Sequence, residues 1–251
     1  MIFFSNQPKQ QQIEYEKFLK IAGCLSNLFS DSPVPYLYYR IAEKIFCKSF
    51  QAEDLSRSDV SADAKKDKLG IGLKTFLAGN SKTYQKVAEF NSDRSLYKNL
   101  TAENLVLKIA ELRNARINFT EKVHGLEKSI YHCVLRDKGK FLIFEEPMNK
   151  IEIGKIKNVK KNKGSISFQD GKDDYSFLVS KSTLTKRFIT ESVFHKFDVE
   201  ILKDPLAELE KLLNIKGLKF ESGSKIKQTV FLPLYGRKQT VFEKSGLNQW
   251  N

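Results

Sequence analysis

The chain is poor in the residues that most metal and redox centres need. In 251 residues it has three cysteines, Cys24, Cys47 and Cys133, and three histidines, His124, His132 and His195. The cysteines show no CxxC or other paired spacing, which argues against a disulfide framework, and with so few histidines against a structural zinc site. Cys47 lies in an apolar run with Ile45 and Phe46 and reads as a core residue. Such cysteine usage suits a reduced compartment, so a cytoplasmic location is expected. No apolar run is long enough to span a membrane, and Met1–Ser5 is too short for a signal-peptide core before Lys9 and three glutamines. Walker loops, GxGxxG turns and serine nucleophile elbows are all missing, as are internal repeats and low-complexity tracts.

What is present supports a sizeable folded core. Hydrophobic residues make up 41% of the chain and aromatics 12%, with 19 phenylalanines, so disorder is not the default. Forty-three Lys and Arg against 30 Asp and Glu leave a formal charge of +13. That favours a polyanionic partner, nucleic acid before an anionic membrane, and no basic amphipathic helix supports a membrane partner. Between Lys150 and Lys163 stand six lysines and one acid, Glu152. They read equally well as a solvated face or as phosphate contacts, which give affinity and salt sensitivity without sequence information.

Periodicity predicts an amphipathic helix over residues 11–30, a second over Tyr36–Phe46, a third over Ser81–Phe90 and a longer one opened by Thr101 and Glu103 that ends before Gly125. Strands are expected near Asp59–Asp63 and Gly70–Leu77. A β-rich middle follows at Ile130–Leu135, Phe141–Glu145, Ile151–Ile156, Ser165–Phe168 and Tyr175–Val179. Ser180–Ile189 fits either state. Asp204 and Pro205 are cap and first residue of a helix to about Leu213. The mixture predicts an α/β (α+β) fold, a mixed β-sheet flanked by helices. Glu221–Lys225 reads as a linker, and Thr229–Leu234 with Gln239–Phe242 as a hairpin that either docks on the main domain or starts another.

The chemistry concentrates between Ser58 and Phe76. Asp59, Ser61 and Asp63 alternate with period two. After a lysine-rich gap comes Gly70-Ile71-Gly72-Leu73-Lys74-Thr75-Phe76, an apolar strand carrying the single cation Lys74. An ammonium bordered by Ile71, Leu73 and Phe76 calls for a partner, which nearby carboxylates would supply. Carboxylates are hard oxygen ligands for Mg²⁺, which binds through a few acids together with substrate phosphate. Further acids on the flanking elements are Glu43 and Glu89, and Gln85 and Lys86 stand close to the latter. Candidate donors to phosphates or base edges are Arg113 and Arg116, and Lys181, Lys186 and Arg187 in a hydroxyl-rich stretch. Each of these also reads as an ordinary surface residue. His132 and His195 lack the His-x-Lys signature of phospholipase-D-type nucleases, and His124 and His132 read as structural.

The run Arg57–Asp63 followed by Gly70–Phe76 resembles the catalytic domains of type II restriction endonucleases with a PD-(D/E)XK site. Val230–Gly236, leading to Ser245–Asn251, resembles the opening of the C-terminal DNA-recognition pseudobarrel of NgoFVII-type enzymes. The resemblance implies a restriction-endonuclease-like core over residues 1–221, and a linker with the truncated start of a recognition domain over 222–251. It also implies Mg²⁺-dependent cleavage of double-stranded DNA and, because both strands are cut, a possible homodimer. Asp63 and Asp59 would hold the metal, and Lys74 would orient the water. The motif acid two residues before the lysine is replaced by Gly72. Glu89, 15 positions after Lys74, matches the arrangement in which that acid is relocated to the following helix, and Glu43 matches an acid on the preceding helix. Two other readings remain: a non-catalytic DNA- or RNA-binding module, and a repair or mobile-element nuclease with the same site.

Overall fold

The computed structural model describes residues 3–56, 60–79 and 82–215. The chain divides into two compact units, Met1–Pro205 and Leu206–Asn251. The expected linker and terminal hairpin lie outside the described residues. No helix among the described residues is long and apolar enough to cross a membrane.

The first unit is a mixed α+β structure, as its periodicities predict. Helices α1 (Lys9–Cys24) and α2 (Tyr39–Phe50) are followed by strands β1 (Glu53–Asp54), β2 (Ala64–Lys66), β3 (Leu69–Leu77) and β4 (Lys82–Glu89). Helix α3 (Ala102–His124) leads into β5 (Lys128–Asp137), β6 (Lys140–Pro147), β7 (Lys157–Lys161), β8 (Ser165–Gln169), β9 (Asp174–Leu178), β10 (Thr183–Ile189) and β11 (His195–Asp198). Helix α4 (Pro205–Ile215) starts at the proline expected of it. Six strands form one sheet in the order β1-β2-β3-β5-β6-β11, and five form a second, antiparallel one in the order β4-β10-β9-β8-β7. Within the first sheet only β3 and β5 run parallel, and the crossover between them contains β4 and α3.

The central strand β5 is buried on both sides, and its alternation assigns each side a layer. Val134 joins Ile71 and Leu73 of β3 in a core with Tyr15 and Leu19 of α1 and Phe46 and Phe50 of α2. Tyr131, Cys133 and Leu135 point the other way, to Phe76, Phe144 and Phe188 of β10. The first sheet is therefore covered by helices on one face and by the second sheet on the other. A third cluster packs α3 through Leu105, Val106, Ile109 and Ala110 against Ile166, Phe168, Tyr175, Phe177 and Leu184. At the α3 ends the Thr101 hydroxyl accepts from the Asn104 N–H, and Gly125 takes the left-handed conformation at φ 61° that favours glycine there.

Four sequence expectations change. Residues 82–89 form an edge strand instead of a helix. A bulge where the register shifts between Leu184 and Thr185 leaves Val87 without a register partner, so the strand lacks a strict two-residue alternation. Ile151–Ile156 is no strand: the Asn114 side chain both donates to the Ile151 carbonyl and accepts from its N–H, each at 2.8 Å, in place of a strand partner. The ambiguity over Ser180–Ile189 resolves to strand, since Thr183–Ile189 is β10, an interior strand of the second sheet. The strand expected near Asp59–Asp63 begins at Ala64, and Asp59 lies outside the described residues.

Candidate active-site cleft

An open cleft of about 890 Å³ is lined from the first sheet and α2 by Glu43, Asp63 and Lys74, and from β4 by Gln85, Lys86 and Glu89. Together with Arg116 of α3, seven residues singled out for chemistry, spread over 74 positions of sequence, thus share one cavity.

Asp63 is fixed by strand pairing just before β2. Its N–H donates to the Ile71 carbonyl at 2.8 Å, and its Oδ2 accepts from the Leu73 N–H at 2.7 Å. Glu43 projects from α2 and is 5% exposed. The Arg40 guanidinium, one helical turn earlier, donates to Glu43 Oε2 at 3.2 Å and to the Ser56 carbonyl at 3.0 Å. Burial pushes the Glu43 carboxyl above the ordinary glutamate range, the Asp63 charge pushes it further, and Arg40 opposes both. A buried carboxylate whose proton affinity a neighbouring carboxylate raises is an electrostatic condition that a bound cation relieves.

Lys74 shares a strand face with Gly72 and Phe76, and its Nζ lies 5.9 Å from the centroid of the Tyr131 ring. The carboxylate partner expected for it is not there: among the described residues Lys74 makes no ion pair. The ring takes that role, since an aromatic face attracts an ammonium. Met148 and Tyr131 crowd Gly72, the position where the motif acid would stand. Gly72 and Tyr131 are register partners, and a Cβ on Gly72 would fall 2.6 Å from Met148 Cε and 3.0 Å from Tyr131 Cδ1. A glycine inside a strand marks such close approach.

The opposite wall behaves differently. Because of the bulge at Val87, Lys86 and Glu89 pair with Thr185 and Thr183 and fall on one face, where they form an ion pair. Asn91 also donates to the Glu89 carboxylate. The Lys86 hydrogen bond holds Glu89 below the ordinary glutamate range. Gln85 pairs with Lys186 and so lies on the other face of β4, not beside Glu89. Arg116 of α3 reaches the same wall, donating to the Glu89 carbonyl at 3.0 Å and covering the Phe90 ring at 5.1 Å. Among the described residues no three His, Cys, Asp or Glu side chains converge as a metal set.

No family model, curated protein or solved structure matches this chain. The geometry alone therefore bears on the remaining candidates, and it corrects two of them. Arg113 is 2% exposed, with its guanidinium donating to Ser61 Oγ at 2.9 Å and Tyr131 Oη at 2.7 Å. It ties the turn before Asp63 to the ring under Lys74 and cannot meet a phosphate. Lys186 is 4% exposed and pairs with Glu146 and Asp173, joining the two sheets. Its strand is interior, so alternate side chains are buried. Arg187 is half-buried on the outer face, 2.7 Å from Asp174, and Lys181 is exposed.

Arg40 and Tyr131 are the site residues the sequence reading missed. Arg40 was detectable as the helical i, i+3 partner of Glu43. Tyr131 needed the register of a parallel strand 59 positions away from Gly72, which no local signal contains. His132 is structural, as expected: its ring is fully buried between Tyr15 Oη at 2.9 Å and Glu145 Oε1 at 2.7 Å.

Proposed function

We propose that this chain is a Mg²⁺-dependent endonuclease of the type II restriction kind that hydrolyses phosphodiester bonds of double-stranded DNA. The observation that carries this reading is the convergence on one open cleft of Asp63, Glu43 and Lys74, an ammonium without an ion-pair partner among the described residues. The restriction class rests on the resemblance of Arg57–Phe76 and Val230–Asn251. Homodimerisation and a further recognition domain are parts of the same proposal.

The donor chemistry fits a hard divalent ion. Asp63 and Glu43 offer carboxylate oxygens at the cleft, and burial followed by the neighbouring Asp63 charge holds the Glu43 carboxyl above its ordinary range against the opposing effect of Arg40. Two carboxylates with water and substrate phosphate are how Mg²⁺ is held in phosphoryl-transfer sites. When bound, the ion would neutralise phosphate charge and lower the pKa of a coordinated water. Asp63 is held in position by the Leu73 N–H, and Arg40 orients Glu43. Lys74 stabilises charge developing on the scissile phosphate, the role a preorganised cation fills best where water is partly excluded. Lys86 and Arg116 meet the adjoining phosphates.

The non-catalytic alternative has one observation in its favour, the lack of a three-ligand set among the described residues. A supercoiled-plasmid assay at low salt with Mg²⁺ or EDTA separates the two. Metal-dependent nicking or linearisation, abolished by Asp63→Asn, is the expected result. A metal-independent gel shift with no scission would sink the enzyme reading.

A further inference from the structure

The second sheet presents one face to α3 and the first sheet, and the opposite face is mostly polar, its apolar members being Tyr84 of β4, Leu178 of β9 and Ile189 of β10. Register places Lys86 and Glu89 of β4, Thr183, Thr185 and Arg187 of β10, Asp174 and Ser176 of β9, Ser165, Ser167 and Gln169 of β8, and Lys160 and Lys157 of β7 on that outer face. Apart from Thr183 and Thr185 these residues are exposed or half-exposed. A hydrogen-bonded ladder crosses it: Asn158 donates to Gln169, Gln169 to Asp174, and Arg187 to Asp174, each at 2.7 Å. Both carboxylates on the face are thereby engaged, Asp174 by Arg187 and Glu89 by Lys86. Lys157, Lys160, Lys161 and Lys163 along β7 are exposed and make no ion pair among the described residues.

We propose that this outer face is a docking surface for duplex DNA, which tracks the phosphate backbone from the cleft to the lysine edge. The proposal rests on the nuclease reading only for its choice of DNA as partner. Three arguments carry it. Charge is complementary, with four cations on the face against two carboxylates that are already paired. The face is continuous with the cleft, because Lys86 and Glu89 belong to both. Its centre is built of serine and threonine, short side chains that let a phosphodiester chain approach the sheet closely. Four strand spacings separate β4 from β7, roughly 19 Å, or the rise of about five to six base pairs. Lysines also suit an unpaired sheet edge as protection against strand addition, but edge protection alone does not require the polar ladder that leads from them to the cleft.

The test is a binding titration in EDTA with a labelled duplex of about 24 base pairs at several salt concentrations. Two variants are compared with the wild type: Lys157→Glu with Lys160→Glu, and Ser167→Glu at the centre of the face. Each should weaken binding about tenfold, the double variant should flatten the salt slope by about two, and the matched charge change Lys9→Glu with Lys17→Glu on the exposed side of α1 should leave binding unchanged. Equal affinity of variant and wild type overturns the proposal, as does equal loss in the α1 control. If Ser167→Glu alone has no effect, the β7 edge binds and the face does not, which also overturns it. The readout needs no cleavage. A wild type that binds but never cuts removes the nuclease reading and leaves this surface standing, whereas one that cuts while the variants bind normally removes the surface alone.

Discussion

The two lysines of the cleft, Lys74 and Lys86, differ in nearly everything except their address. Lys74 lies on an interior strand, half-buried, above the Tyr131 ring and without a carboxylate partner among the described residues. Lys86 lies on an edge strand, exposed, and is neutralised by Glu89. The same contrast holds for the acids. Glu43 is buried, crowded by Asp63 and held up in proton affinity, while Glu89 is held down by its lysine. One wall leaves its lysine without an ion pair among the described residues, although Glu43 there is paired with Arg40, and the other wall pairs its lysine with Glu89. A cation not already neutralised is what transition-state stabilisation needs in a partly desolvated cleft, because preorganised dipoles and cations act most strongly there. On the proposed nuclease reading, chemistry belongs to the Glu43–Asp63–Lys74 wall and substrate positioning to the β4 wall.

The largest expected break in that comparison comes from Asp63→Asn and Lys74→Ala. Each should cut single-turnover cleavage by a factor on the order of 10²–10³ and leave DNA affinity within about threefold, as read from paired cleavage and binding titrations. Next comes Arg113→Met, which leaves Ser61 and Tyr131 without their buried charged donor. It should lower stability by about 3 kcal/mol in urea unfolding, and cleavage should fall even at temperatures where the protein remains folded.

Glu43→Gln sharpens the electrostatic side. A carboxyl whose folded pKa exceeds its unfolded value binds more protons in the native state, so stability falls as pH rises through that interval. The wild type and the variant should melt together at about pH 4. Above the raised pKa the variant should melt higher in EDTA. Adding Mg²⁺ should raise the melting temperature of the wild type more than that of the variant. A Glu43→Gln protein that is less stable at neutral pH would show that Arg40 outweighs burial and the Asp63 charge. The smallest effect belongs to Lys86→Ala, with no measurable change in melting temperature and less than about a tenfold loss in cleavage.

Capped and long elements could be read from the sequence. Thr101 and Gly125 bracket α3, Asp204 and Pro205 start α4, and the apolar run Ile130–Leu135 lies within β5. The Asp63–Lys74 wall was legible too, since its two residues meet through a local β2–β3 pairing. Reading failed where a distant partner decides the local state. The β4 bulge comes from pairing with β10 about a hundred positions later, and Asn114 satisfies Ile151 from another element. Strand β7 escaped notice because lysine-rich edges lack the alternation of half-buried strands. Arg113 and Lys186 read as surface cations because sequence alone does not show which basic side chain is enclosed by hydroxyls or carboxylates.

The most direct test is the ratio of two mutant rates on one duplex, Lys86→Ala over Lys74→Ala, with Mg²⁺ and protein in excess. Division of labour between the walls predicts a ratio of at least about 10, with both variants binding DNA nearly as the wild type does. A ratio near one would contradict it, because the two walls would then contribute alike and Lys74 would be one more phosphate contact.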